Sequence, residues 1–390
     1  MILLVKKIKS KLPDIDFIFY WVLLVFIAAP LKVYVPTSFV VELSCVGMVS
    51  YYAYRGVKLG KNAGDYMIAV LMMSLFFIGM SGDFDEFCFK ENYRFFVQFL
   101  FIAVFLNYPL DTKRILNVAL LLCKLHIIFT IYELLYVNVF DYGDHEKLLF
   151  VGKAIAGYEE DSQYRTASWD LGFPYIRPFG LMLQPQKSAF VFSFGMLCKY
   201  LLEKINKSRK SQYWYFIFLL ATISTSGKTA IVCALLFYAS MRFNVYPTLN
   251  IKRKGTIIVL LFVIIGGVIL LSYLGNTQVS SDFSNDMSSI FNYPLFDALF
   301  GHGIPSVSDL WRHGFVVECY LARVILQMGY LPFIIIVGIS LYHYRAKSWK
   351  LNYMMLVLVF MLVSHYCVIN TPFFQFMIPV FIATYKQYQL

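Results

Sequence analysis

Charge is scarce in this 390-residue sequence: Asp, Glu, Lys and Arg make up 15% of it, against about 25% in a typical soluble domain. With 59% hydrophobic residues and a mean hydropathy of +0.65, so little charge excludes an ordinary soluble enzyme and an intrinsically disordered chain. Cysteine is also sparse. Seven residues, at positions 45, 88, 123, 198, 233, 319 and 367, give an odd count with no CxxC pair. That spacing excludes a disulfide scaffold and offers no thiolate metal site. The N-terminal MILLVKKIKSKLP lacks the small-residue cleavage site of a signal peptide, so the first apolar segment is expected to stay on the chain. Internal repeats and low-complexity tracts are missing too, and the lack of an inverted repeat counts against a secondary transporter.

What the chain has instead is apolar sequence in runs of about twenty residues, the length that crosses a hydrocarbon core of about 30 Å. Twelve segments qualify, at roughly 17–35, 37–54, 66–82, 93–109, 115–137, 177–202, 213–225, 228–243, 256–274, 315–342, 351–369 and 372–386. The segment 213–225 is short, and 177–202 begins with prolines. The expected fold is an all-α polytopic membrane protein of about 12 transmembrane helices, a single transmembrane domain over residues 1–390.

Basic residues orient it. With the N-terminus inside, the inner connections hold Lys6, Lys7, Lys9 and Lys11; Arg55, Lys58 and Lys61; Lys113 and Arg114; and Lys204, Lys207, Arg209 and Lys210. The later ones hold Arg242, Lys252, Arg253 and Lys254; Arg345, Lys347 and Lys350; and Lys386. These are 21 of the 34 basic residues, all in short connections, which predicts both termini on the cytoplasmic side. The net charge of +11 is thereby accounted for without nucleic acid. Two long connections, about 138–175 and 275–314, fall outside. The first is acidic, with Asp141, Asp144, Glu146, Glu159, Glu160, Asp161 and Asp170 against Lys147, Lys153 and Arg165. Its aromatics, among them Tyr142, Tyr158, Tyr164 and Trp169, are of the kind that stack on sugar rings and equally of the kind found at membrane interfaces.

Ionisable residues inside spans are expensive, at least about 2.5–3.5 kcal/mol at a helix centre, so each needs a partner or a purpose. The sequence places Glu42, Lys124, His126, Glu133, Arg177, Lys187, Lys228, Glu318 and Arg323 there. Lys124 and His126 fall mid-span. Glu42, Glu133, Arg177, Lys228 and Glu318 fall near the outer ends, with Lys187 and Arg323 one or two turns deeper. Five spans thus bring charge to one level. The cations Arg177, Lys187, Lys228 and Arg323 either pair with Glu42, Glu133 and Glu318 or form a pocket for a polyanion, and a lipid diphosphate is the anion found at that level.

Three segments sharpen this. In RPFGLMLQPQKS (177–188), Pro178 and Pro185 each remove a backbone donor, so the outer part of this span is not expected to be a regular helix. Irregular backbone at membrane depth must be buried in protein or line a wet cavity, and this stretch reads as a site wall, with a proline kink as the plainer alternative. TISTSGKT (222–229) ends in GKT, but Thr222 stands where a P-loop needs its first glycine and no strand precedes it, so a P-loop is excluded. Between 300 and 329, His302 and His313 lie in a loop and Glu318 at the mouth of a span. No HExxH spacing occurs, so no metal is expected. Glu318 and Arg323 are about 140° apart around a helix, which leaves Arg323 to face another partner.

Taken together, these segments resemble the O-antigen polymerase and ligase superfamily, which includes the Wzy-type polymerases. The similarity rests on Arg177, Pro178, Phe179, Gly180, Gln184 and Pro185 after a long outer loop, and on STSGKTA at 224–230 with Lys228 where that family often has Arg. It continues with the Gly301-His302-Gly303 turn and the helix start at Glu318, Tyr320, Leu321 and Gly329. It covers about residues 170–340. Ligases of the superfamily commonly carry a His-Asn pair where this chain has Val317-Glu318, which favours a polymerase. The Arg-x10-Gly pattern of some polymerases is absent at Arg177 and Arg312.

The resemblance implies a GT-C-like bundle in the bacterial inner membrane. Its expected activity is to join undecaprenyl-diphosphate-linked oligosaccharide units into O-antigen or a related surface polysaccharide, with no cofactor. The partners implied are that lipid-linked oligosaccharide, membrane lipids and a chain-length regulator, with no nucleic acid. Arg177, Lys187, Lys228 and Arg323 are the candidate diphosphate ligands. Glu318 is the candidate general base, with His313 or His302 as alternates. An O-antigen ligase, a lipid-linked sugar transporter or flippase, and a structural membrane subunit are the competing readings.

Overall fold

The computed structural model describes residues 14–31, 39–79, 97, 99–108, 110–140, 178–182, 184–207, 212–225, 228–244, 246, 330–364 and 371–390. Helix accounts for 84% of the described residues and none of them is in a strand, so what is described of the fold is all-α. The helices are α1 (Asp14–Leu31), α2 (Val40–Tyr54), α3 (Ala63–Gly79) and α4 (Thr112–Leu135), which runs on into a π-helical turn, Tyr136–Phe140. They continue as α5 (Pro185–Asn206), α6 (Tyr213–Ser224), α7 (Lys228–Arg242), α8 (Tyr330–Tyr344), α9 (Trp349–Ser364) and α10 (Pro372–Gln387). Residues 99–107 are helical as well.

Their ends follow local chemistry. Asp111 caps α4 by accepting from the Arg114 N–H at 3.1 Å, satisfying one of the orphan donors of a helix start. Pro185 and Pro372 open α5 and α10, at positions where a missing N–H has no consequence. Helix lengths vary along the chain. The helix Thr112–Phe140, at 29 residues, is long and apolar enough to cross a membrane. By contrast, the 12 residues of α6 rise only about 18 Å, short of a hydrocarbon core. α6 ends at Ser224, as the expected segment 213–225 does to within a residue, and the Thr225 hydroxyl and N–H both donate to the Thr222 carbonyl. The expected segment 256–274 and the first half of 315–342 lie outside the described residues.

Two compact units make up the chain. The first holds α1, α2, α4, α5, α6, α7 and α10, with α5 at its centre. Every residue from Ser188 to Leu202 is buried, as expected for a helix wrapped on all sides. Its neighbours are α4, α6 and α7, and on α10 the rings of Phe373, Phe374 and Phe381 lie 4.7–5.9 Å from Phe194. At Gly195 a Cβ would sit 2.4 Å from the Phe218 ring, so glycine sets the approach of α5 to α6. The Thr112 hydroxyl donates to Gln387 Oε1 at 2.9 Å, which brings the start of α4 level with the end of α10.

The second unit contains α3, α8 and α9. Here His343 of α8 lies 2.5 Å from the Asp65 carboxylate of α3. The turn between α8 and α9 is closed by Asn352, which accepts from the Ala346 N–H and donates to the Ala346 carbonyl.

Candidate functional site

Residues 178–182 are non-helical and sit where the sequence predicts an irregular wall, and α4 and α5 hold them in place. Glu133 lies six turns along α4, about 31 Å from Thr112 by helical rise. Its side chain is fully buried. One oxygen accepts from the Phe179 N–H at 2.8 Å and the other from the Gly180 N–H at 2.6 Å. Charge-assisted bonds of this kind are roughly twice as strong as neutral ones. The carboxylate acts as an anchor for backbone.

The remaining backbone groups are met in turn. Ser188, on the first turn of α5, donates its hydroxyl to the Phe179 carbonyl at 2.6 Å. The Leu181 N–H points to His126 Nδ1 at 3.4 Å, and Pro178 has no N–H to satisfy. From 178 to 181 every backbone donor therefore has a partner, the condition for irregular chain in an apolar setting. Gly180 is required twice over. Its φ is +64°, and a Cβ there would lie 2.5 Å from Ser188 Oγ and 2.6 Å from His126 Cε1. Any larger residue meets both a disfavoured backbone and two side chains.

His126 is fully buried between the Phe192 ring, 5.1 Å away, and the Phe26 ring, 5.9 Å away. Acceptance from Leu181 assigns the lone pair to Nδ1, so neutral imidazole carries its proton on Nε2. That Nε2 and the Gln184 Oε1, two buried polar atoms flanking the turn, have no hydrogen-bond partner among the described residues. Gln184 holds the N-cap position of α5 in an extended conformation without capping it.

The other sequence-derived candidates divide. Lys187 is half-buried in the first turn of α5, next to the anchored stretch. Lys228 opens α7; its side chain, and all of Arg177, Glu318, His313, His302 and Arg323, lie outside the described residues. So do residues 141–175 and 275–314 of the two long connections. Glu42 is half-buried in the first turn of α2. Lys124 and His126 leave α4 on different sides: the Lys124 ammonium lies 4.3 Å from the Trp214 ring centroid on α6, whereas His126 faces α1 and α5. They do not line one path.

Several polar contacts were not legible from residue types. Nothing in the residue type of Glu133 announces that its carboxylate accepts from the Phe179 and Gly180 N–H groups. Ser188 reads as an unremarkable serine until the Phe179 carbonyl is located. Lys199 and Glu203 form an ion pair within α5, and the Tyr215 hydroxyl donates to the same carboxylate at 2.8 Å. Their i,i+4 spacing was the available signal. Among the described residues, no group of three or more His, Cys, Asp or Glu side chains could hold a metal ion. Comparison with protein-family models, curated proteins and solved structures gives no match to this chain.

Proposed function

We propose that this chain is a multi-pass bacterial inner-membrane glycosyltransferase that polymerises lipid-diphosphate-linked oligosaccharide units into a surface polysaccharide. The observation that carries the reading is the anchored, non-helical backbone of 178–182, which Arg177 precedes and Lys187 follows in sequence. An apolar helix bundle holds irregular main chain at that depth only where it walls a cavity or is sealed in protein, and two cations flanking it in sequence select an anion.

Membrane residence is supported by the outer face of α4. Leu121, Leu125, Ile128, Tyr132 and Leu135 are 44–65% exposed along its length, a continuous apolar stripe that water would not tolerate. The distribution of lysine and arginine sets the N-terminus inside and the 178–182 stretch toward the outer leaflet.

In this reading the acceptor hydroxyl attacks the anomeric carbon of the growing chain's first sugar. The glycosidic bond to the lipid diphosphate breaks, and the diphosphate leaves with the bonding electrons. Arg177, Lys228 and Arg323, with Lys187 beside them, stabilise the charge that develops on the leaving group. Glu318, or in its place His313 or His302, takes the hydroxyl proton. A chain-length regulator is a fitting partner.

Two other readings stay in view. A ligase would use the same donor with a lipid A core acceptor. A lipid-linked sugar flippase needs ionisable groups along one path, and the separation of Lys124 from His126 counts against it. Gel analysis of surface polysaccharide from an Arg177→Lys strain tests the proposal. Long chains give way to single repeat units on the core if it holds. Wild-type chain abundance overturns the diphosphate role.

A further inference from the structure

We infer that Glu133 is a positioning residue for this reaction, a carboxylate clasp on α4 that fixes residues 178–182 against the start of α5 so that Lys187, on its first turn, meets the lipid diphosphate in register. The inference rests on the polymerase reading and adds to it a residue that touches no substrate. Its basis is the hydrogen-bond geometry. A buried carboxylate is costly at this depth and needs a partner or a purpose. Glu133 directs both oxygens to the consecutive N–H groups of Phe179 and Gly180, 46 and 47 residues away in sequence.

Two consecutive amides bound to one carboxylate fix the orientation of the peptide plane between them, not merely its position. Ser188 ties the Phe179 carbonyl to the first turn of α5, the turn that carries Lys187. One carboxylate therefore holds the turn against the helix start that presents this candidate cation. Glutamine keeps one acceptor oxygen but presents an NH2 donor to the second N–H. Aspartate keeps both oxygens on a shorter stem.

The test combines a labelling rate with polymer analysis in the full-length chain, in membranes. Leu181→Cys, in the half-buried middle of the turn, is reacted with a small maleimide, with background taken from the parent chain. Adding Glu133→Gln or Glu133→Ala is expected to raise the labelling rate by about tenfold or more, since charge-assisted bonds to the turn are lost. In strains without Leu181→Cys, the same two Glu133 variants are expected to lose long polymer at unchanged protein abundance, with Glu133→Asp restoring part of both readouts. Unchanged labelling in Glu133→Gln and Glu133→Ala overturns the clasp. Raised labelling with normal long chains, in a strain background where Arg177→Lys abolishes them, overturns the positioning role and leaves the polymerase reading standing. Raised labelling in a background where Arg177→Lys also leaves the polymer normal locates the failure in the polymerase reading, and the positioning role falls with it. Should Glu133→Ala be absent from the membrane, Glu133→Gln and Glu133→Asp carry the comparison.

Discussion

The Gly180 N–H donates to a Glu133 carboxylate oxygen at 2.6 Å, so the left-handed turn at Gly180 hangs from a residue 47 positions earlier in the chain, on α4. Gly180 is held at φ +64° by that bond while Ser188 and His126 close around it. The turn is thus defined by three side chains from two helices and by the lack of one at position 180.

Gly180→Ala tests this directly. The left-handed conformation costs a non-glycine residue roughly 1–2 kcal/mol, and the added methyl must displace Ser188 Oγ or the His126 ring. The variant is expected to melt at a lower temperature in detergent, measured by fluorescence-detected size exclusion after heating. It is also expected to lose long polymer. A melting curve superimposable on the parent's shows that the turn relaxes without penalty.

The Lys124–Trp214 contact allows a double-mutant cycle. A cation over an indole face contributes about 0.5–1 kcal/mol when exposed and about 2 or more when desolvated. Trp214→Leu is expected to destabilise the parent chain by more than it destabilises a Lys124→Met chain, and the difference, on the order of 1 kcal/mol, is the coupling. Equal effects in both backgrounds mean the ammonium gains nothing from the ring.

Much of the architecture could be read from residue patterns, and the reasons are physical. Apolar runs place the helices, but Pro185, expected to interrupt the span 177–202, instead opens α5, where a missing donor is harmless. The irregular backbone at 178–182 was legible from Pro178, which has no donor to offer a helix. What could not be read is the partner of each polar group. Glu133 and Ser188 choose main-chain atoms brought to them by packing, and no residue type announces a free N–H. Helix length was legible at α6: the short segment read at 213–225 is a helix of 12 residues, Tyr213–Ser224, with the Thr225 hydroxyl bonded to the Thr222 carbonyl at its end.

In the second unit, Asp65 is buried and lies 2.5 Å from His343 Nε2, so removing either side chain takes this contact from the other. Leaving a buried acceptor or donor unsatisfied costs about 1–3 kcal/mol. Asp65→Ala and His343→Ala are each expected to lower the melting temperature, and the double variant to fall by less than the sum of the two. Additive losses show that the pair contributes nothing beyond its separate contacts.

Sidedness is open to a chemical test that does not depend on activity. Ser168, in the long acidic connection, and Ser208, in the basic connection after α5, are assigned to opposite sides of the membrane by the lysine and arginine distribution. A membrane-impermeant maleimide added to intact spheroplasts is expected to label a Ser168→Cys chain and to spare a Ser208→Cys chain until the membrane is permeabilised. The reverse pattern would turn the bundle over. It would place Glu133 and the 178–182 turn at the cytoplasmic leaflet, where a polymer cannot be assembled on the outer face. Labelling of both sites in intact cells would mean that the chain between them does not cross the bilayer. Because α5 is the helix in that interval, the result bears directly on whether the turn it anchors lies at membrane depth at all.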